Sequence, residues 1–177
     1  MTARKKQILS IVAIVFAIVL LDQGTKAWVR ANVPLHAALL NGHEPEFFRI
    51  TYEQNMGLVN SAFQSTRWIV ILAPMAATAF LLYLFRFLDP RAWVQTLAFA
   101  SVLGGALGNL FDRIYFGFVT DFLQFHFHFI PVNFPWKYWP PFNVADTAIC
   151  CGVVVLALVL HQTKPEPSAT LEKPERA

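Results

Sequence analysis

The sequence is short of charge. Asp, Glu, Lys and Arg make up 14% of its 177 residues, against about 25% in an ordinary soluble domain. Its net charge is only +3, and no basic stripe is interleaved with aromatics, so no nucleic-acid partner is expected. Cysteine is nearly absent: there are two, and they are the neighbours Cys150 and Cys151. Adjacent cysteines do not readily pair, which excludes a disulfide framework and leaves them as small packing residues. His126 and His128 alternate with phenylalanines, but no Cys or carboxylate stands near them at ligand spacing. Neither a metal nor another cofactor is expected. An internal repeat, the usual basis of alternating-access transport, is also missing.

What is present is apolar. Hydrophobic residues reach 56% of the chain, and they lie in four long runs, about 8–28, 68–85, 92–111 and 143–160. Each is near the ~20 residues that a helix needs to cross the hydrocarbon. The runs do not alternate apolar and polar residues, as barrel strands do, and a helix satisfies its own backbone in lipid. The expected fold is an all-α integral membrane protein, a four-transmembrane-helix bundle over residues 1–162. Residues 29–67 and 112–142 are its outer regions, and the polar, Pro-rich segment 163–177 is expected to be a disordered cytoplasmic tail.

Orientation follows from the basic residues. Arg4, Lys5 and Lys6 precede the first run, Arg86 and Arg91 bracket the Asp89-Pro90 turn, and Lys164, Lys173 and Arg176 follow the fourth run. These regions belong in the cytoplasm, with both termini inside. The bias is moderate, since Arg30, Arg49, Arg67, Arg113 and Lys137 fall outside. The basic head and the run Ile8–Leu21 imitate a signal peptide. The run continues past Asp22 to Trp28, however, without a clear small-x-small site, so a retained anchor is expected.

The outer regions are distinctive. Phe47–Asn55 (FFRITYEQN) has strand composition and should form part of a small extracytoplasmic sheet. Residues 114–142 are crowded with Phe, Trp, Tyr and Pro, suiting an aromatic-rich outer loop at the membrane–water boundary. This stretch reads as a short strand, a hairpin or an interfacial helix.

Ionisable groups at membrane depth are costly and mark function. Asp22, Asp112, Asp121 and Asp146 arrive from different segments at one outer level. Asp22 and Lys26 are i,i+4 on one helix face. They form either an interfacial pair with Lys26 snorkelling or a support for a site inside the bundle. Asn109 and Asp112 are i,i+3, as are Asn143 and Asp146, and Asp112 with Arg113 suggests a structural ion pair. Gly104, Gly105 and Gly108 permit close helix contact, which packing alone explains. Asn55 precedes a turn, or holds substrate backbone at the lip of a polar site. Two nearby carboxylates in a partly dry site would share a proton. One could then take a proton from water while the other donates to a carbonyl.

At this point the chain resembles the bacterial lipoprotein signal peptidases, the signal peptidase II family. The matching runs are Asp22–Lys26 (DQGTK), Asn55 with Gly57, Gly104–Arg113 (GGALGNLFDR), Val119–Phe122 (VTDF) and Phe142–Asp146 (FNVAD). The resemblance spans roughly residues 8–162. It implies an aspartyl endopeptidase of the bacterial inner membrane, cutting prolipoprotein signal peptides before a diacylglyceryl-modified cysteine. The implied catalytic pair is Asp121 and Asp146. The implied supporting residues are Asp22, Lys26, Asn55, Gly57, Asn109, Asp112, Arg113 and Asn143. Its partners would be lipidated precursors and membrane lipids. A monomer is expected, though no feature of the sequence fixes the oligomeric state. One departure is Leu58-Val59-Asn60-Ser61 where the family usually has a small, Ala-rich run. Two other classes are weighed against this one. A small transporter or lipid-handling protein would also use intramembrane acids. A metal-dependent headgroup transferase would need its acids on cytoplasmic helix ends, where these do not lie.

Overall fold

The computed structural model describes residues 1–39, 47–57, 67–127 and 138–162. The segment 163–177, expected as a tail, lies outside the described residues, as do most of the Asn55–Phe63 turn and the centre of the aromatic loop.

Helix α1 covers Ala3–Asn32, and Thr2 caps it by accepting from the Lys5 amide. It outruns the expected span at both ends because no Pro interrupts the polar flanks. Helix α2 covers Arg67–Leu84 with Pro74 inside, and a 3-10 turn, Phe85–Phe87, continues it. Helix α3 covers Trp93–Tyr115, and α4 covers Val144–Gln162. By length and composition α1, α2 with its turn, and α3 are able to cross a membrane; α4 adds a shorter apolar helix, Val144–Val159.

Helix α3 is the centre, packed against α1, α4 and α2. Its glycines let the neighbours close in. A Cβ on Gly105 would strike the Ala145 carbonyl, and one on Gly108 would lie 2.7 Å from Asp22 Oδ2. Here packing and site share one device, because the bare backbone at Gly108 leaves room for a buried carboxylate. Ile11, Phe99, Ala100 and Leu103 form the core at the other end of the bundle. There Gln7 Nε2 donates to Asp89 O (3.1 Å) and Thr96 Oγ1 (3.0 Å). The basic N-terminus and the α2–α3 turn therefore sit at the same end.

At the opposite end lies a three-stranded antiparallel sheet of β1 (Ala38–Leu39), β2 (Phe48–Asn55) and β3 (Val119–Phe125), in that order. The strand composition of 47–55 is realised in β2. For the start of the second outer region, three forms were open; the structure gives a strand, paired to β2 with Glu53 opposite Asp121. Val29, Val33, Tyr52 and Phe122 form a second core, with Val144 packed on it. This core seats the sheet on the ends of α1 and α4, fixing β3 beside the first turn of α4.

Candidate active site

Beneath the sheet lies a buried polar cluster. Asp22, Lys26, Asp112 and Asn143 have 0% exposure. Lys26 Nζ meets Asp22 Oδ2 at 2.8 Å, Asp112 Oδ2 at 3.1 Å and Asn109 Oδ1 at 2.9 Å. Its three N–H groups thus have three acceptors, the condition under which a buried ammonium is tolerable. Of the two readings of the Asp22–Lys26 pair, the inward one holds, and Lys26 does not snorkel. The expected Asp112–Arg113 pair is corrected: Asp112 turns to Lys26. Arg113 instead donates to the carbonyls of Asn109 (3.3 Å) and Gly57 (3.2 Å). The physical reason is helical geometry, since adjacent residues on a helix face different ways. Arg113 Nε, buried, has no acceptor among the described residues.

The Lys26 contact sets the next layer. Asn109 Oδ1 accepts from Lys26, so its Nδ2 is left to donate, and it does so to Asp146 Oδ1 at 2.8 Å. Asn143 caps α4: its Oδ1 accepts from the Asp146 amide (2.9 Å), while Asp146 Oδ2 accepts from the Asn143 amide (3.2 Å). This reciprocal pair is a capping box with Asn and Asp in place of the commoner residues. Asn143 Nδ2 then reaches Asp121 Oδ1 at 2.7 Å. One side chain therefore both holds Asp146 and touches Asp121. Asn55 Nδ2 donates to the second oxygen of Asp121 at 3.1 Å. Of the readings of Asn55 as a turn residue, a holder of substrate backbone or a support of the site, the structure shows the contact of a support, and its Oδ1 accepts from the Gly57 amide (3.1 Å).

Asp121 stands on the strand, outside the helices. Its carboxyl is pushed up from 3.8 to about 7, first by burial and then by the negative charge of Asp146. Hydrogen bonds from Asn55 and Asn143 and the charge of Lys26 oppose the shift. Asp121 and Asp146 line a cavity of about 610 Å³ between α2, α3 and α4, with Asn55, Asn109 and Arg113. Apart from Thr78 and Cys150 its remaining wall is apolar, including Pro74, Leu81, Val102 and Ile149. Among the described residues no three His, Cys, Asp or Glu side chains gather as a metal site.

All ten sequence-selected residues fall in or beside this cluster. Two more belong to it. Gln23 Nε2 donates to Asp22 Oδ2, the Gly108 carbonyl and Asp112 Oδ1 at 3.0–3.1 Å. Thr120 donates its amide to Asp112 Oδ2 (3.1 Å), and its hydroxyl accepts from Arg30 (2.9 Å). Each was visible only as the neighbour of a chosen acid, Asp22 or Asp121.

Residues 14–162 match the family model for signal peptidase (SPase) II. The lipoprotein signal peptidase of Teredinibacter turnerae is 39% identical over 145 residues, covering 78% of this chain and 79% of that protein. That of Shewanella loihica is 35% identical over 160 residues, covering 86% and 87%. In three dimensions the chain is similar to a bacterial membrane enzyme solved by the in meso method. The TM-score is 0.71 at 22% identity, over 95% of this chain and 94% of that one, which shows a shared fold. With the family model covering most of its length, the chain belongs to the signal peptidase II family of membrane proteases.

Proposed function

We propose that this chain is an aspartic endopeptidase that removes signal peptides from prolipoproteins, cutting before a diacylglyceryl-modified cysteine, with Asp121 and Asp146 as its catalytic pair. The observation that carries the reading is the bridge through Asn143, whose side-chain amide donates to Asp121 Oδ1 and whose backbone amide donates to Asp146 Oδ2, both acids lining one largely apolar cavity. The ionised carboxylate takes a proton from water, which attacks the scissile carbonyl. The protonated one donates to the carbonyl oxygen, and the collapse of the tetrahedral species returns a proton to the leaving amine. Asn55, Asn109 and Asn143 hold the pair in register. Lys26, Asp22 and Asp112 form the buried base beneath them, and Arg113 offers a donor for a substrate carbonyl.

Placement supports the substrate. All four helices are read as spans, with both termini cytoplasmic, in the inner membrane of a bacterium, and the protein as a monomer. Helix α4, at 19 residues, reaches about 28 Å at 1.5 Å per residue, close to the hydrocarbon thickness. The pair then lies near the outer face, open to the apolar cavity between α2 and α4. A soluble peptide would have to leave water to reach it. A precursor anchored by its signal helix and two acyl chains is already there, because each buried CH₂ contributes about 0.8 kcal/mol to anchoring.

The test compares a lipidated precursor with its Cys→Ser form, which cannot carry the lipid, in the same micelles. Cleavage of the lipidated form alone is expected. Equal rates for both would instead favour a general intramembrane protease.

The raised pKa of Asp121 gives a second expected result. As pH rises through about 7 the shared proton is lost, and with it the general acid, so kcat/KM should fall on the alkaline side. The sign for stability agrees. The folded carboxyl binds its proton above the unfolded value, so this group's contribution is present at low pH and is lost as pH rises from about 3.8 to about 7. A kcat/KM profile flat from neutrality to pH ~9 would contradict this assignment.

A further inference from the structure

A second cavity, of about 480 Å³, opens on the sheet side of Asp121. It shares Asn55 and Asp121 with the apolar cavity, so the catalytic wall divides the two. The two differ in chemistry. The second sets Arg49, Glu53, Gln54 and Gln124 against an apolar side of Trp139, Pro140, Pro141 and Phe142, and is the more polar of the two.

A signal-peptide substrate has the same division. The part before the scissile bond is apolar, and the lipid is apolar. The chain after the modified cysteine leads out into water. If the bond lies at the shared wall, the polar cavity is where the departing chain must run.

Within that cavity one group is built to read charge. Arg49 and Gln124 are directly paired across β2 and β3, and Arg49 Nε donates to Gln124 Oε1 at 2.8 Å. Gln124 is 9% exposed, so the guanidinium is oriented by a nearly buried partner. Its terminal nitrogens donate to nothing among the described residues, leaving the fork free for a carboxylate. Glu53, the cavity's other charged side chain at its rim, has Oε2 2.8 Å from His36 Nδ1. Gln124 is three residues beyond Asp121 on β3, which is about 10 Å along a strand at ~3.3 Å per residue. An extended substrate covers the same distance in about three residues.

We propose that this polar cavity binds the extended segment just after the lipid-bearing cysteine, and that Arg49 selects an acidic side chain at the second or third residue beyond it. The inference rests on the peptidase reading above and adds a specificity site to it. Arg49 is not a catalytic residue; it reads the chain that leaves.

The experiment uses the full-length protein in micelles with three lipidated precursors. They differ only in carrying Asp, Asn or Lys at those two positions. In the parent protein the Asp precursor should exceed the Lys precursor in kcat/KM by about fivefold, the worth of a charge-assisted hydrogen bond at a partly screened site. In Arg49→Glu the order should reverse, and in Arg49→Gln the ratio should shrink towards unity. The ratio is taken within each protein, so a smaller yield of folded variant cancels. Asp and Lys precursors cleaved within about twofold of each other by the parent protein would overturn the inference while leaving the peptidase reading intact. A ratio unchanged in Arg49→Glu would also overturn it. Failure to cleave any of the three would overturn both.

Discussion

Asp121→Asn and Asp146→Asn should each lower kcat by about 10²- to 10⁴-fold, the usual worth of one general acid or base. The folded structure should survive. Asn is nearly isosteric with Asp, but both oxygens of each carboxylate accept from amide or backbone donors, so the Asn NH₂ faces one donor and about one hydrogen bond is lost. A neutral side chain at position 121 also removes the repulsion from Asp146 that helps to raise its pKa. The relieved repulsion and the lost hydrogen bond oppose each other, so melting temperature in detergent should change little while activity vanishes. The double variant should be scarcely worse than either single one, because the two carboxylates share one proton and act as one unit. Multiplicative losses would mean two independent roles. Near-normal turnover in either single variant would remove that residue from the chemistry.

Lys26→Met should do the opposite, acting on stability first. Lys26 is the one cation in direct contact with Asp22 and Asp112 among the described residues, and all three are fully buried. Removing it leaves two carboxylates facing each other without water. Breaking a buried ionic cluster in this way costs about 3–5 kcal/mol. The loss should spread to the site, since Asn109 Oδ1 loses its Lys26 donor and with it the constraint that points Nδ2 at Asp146. Asp22 also accepts from the Ala145 amide at 2.9 Å, so a shifted Asp22 would disturb the first turn of α4. Adding Asp112→Asn to Lys26→Met should recover part of the melting temperature by removing one of the stranded charges. Lys26→Met melting like the parent protein would show that the cluster is not what holds α1, α3 and α4 together.

How much of this could be read from the chain divides along physical lines. The helices were visible because lipid imposes a simple rule: about 20 apolar residues and no unsatisfied backbone. Their ends were not: α1 runs on to Asn32, where no Pro stops it and Val29 packs into the core under the sheet. The acids were visible because charge is rare in this chain. Their pairing was less so. The i,i+4 spacing within α1 foretold Asp22 with Lys26, but Asp112 was assigned to its neighbour Arg113 when its true partner comes from another helix, 86 residues away in sequence. Interhelical contacts of this kind leave no periodicity to read. Asn143 shows the same limit: its spacing to Asp146 hinted at a shared face. Its contact with Asp121 required β3 to be brought to the start of α4. Gln23 stood in the open between two chosen residues, with nothing in its spacing to show that it would bridge α1 to α3.

The most direct test of the account is the mass of the products. One lipidated prolipoprotein, incubated in micelles with the purified protein and separately with Asp121→Asn, should be cut only by the former. The two fragments should place the break immediately before the modified cysteine, with the lipid on the C-terminal fragment. A break elsewhere in the precursor, or the same fragments from Asp121→Asn at a comparable rate, would contradict the assignment of this site as the peptidase centre.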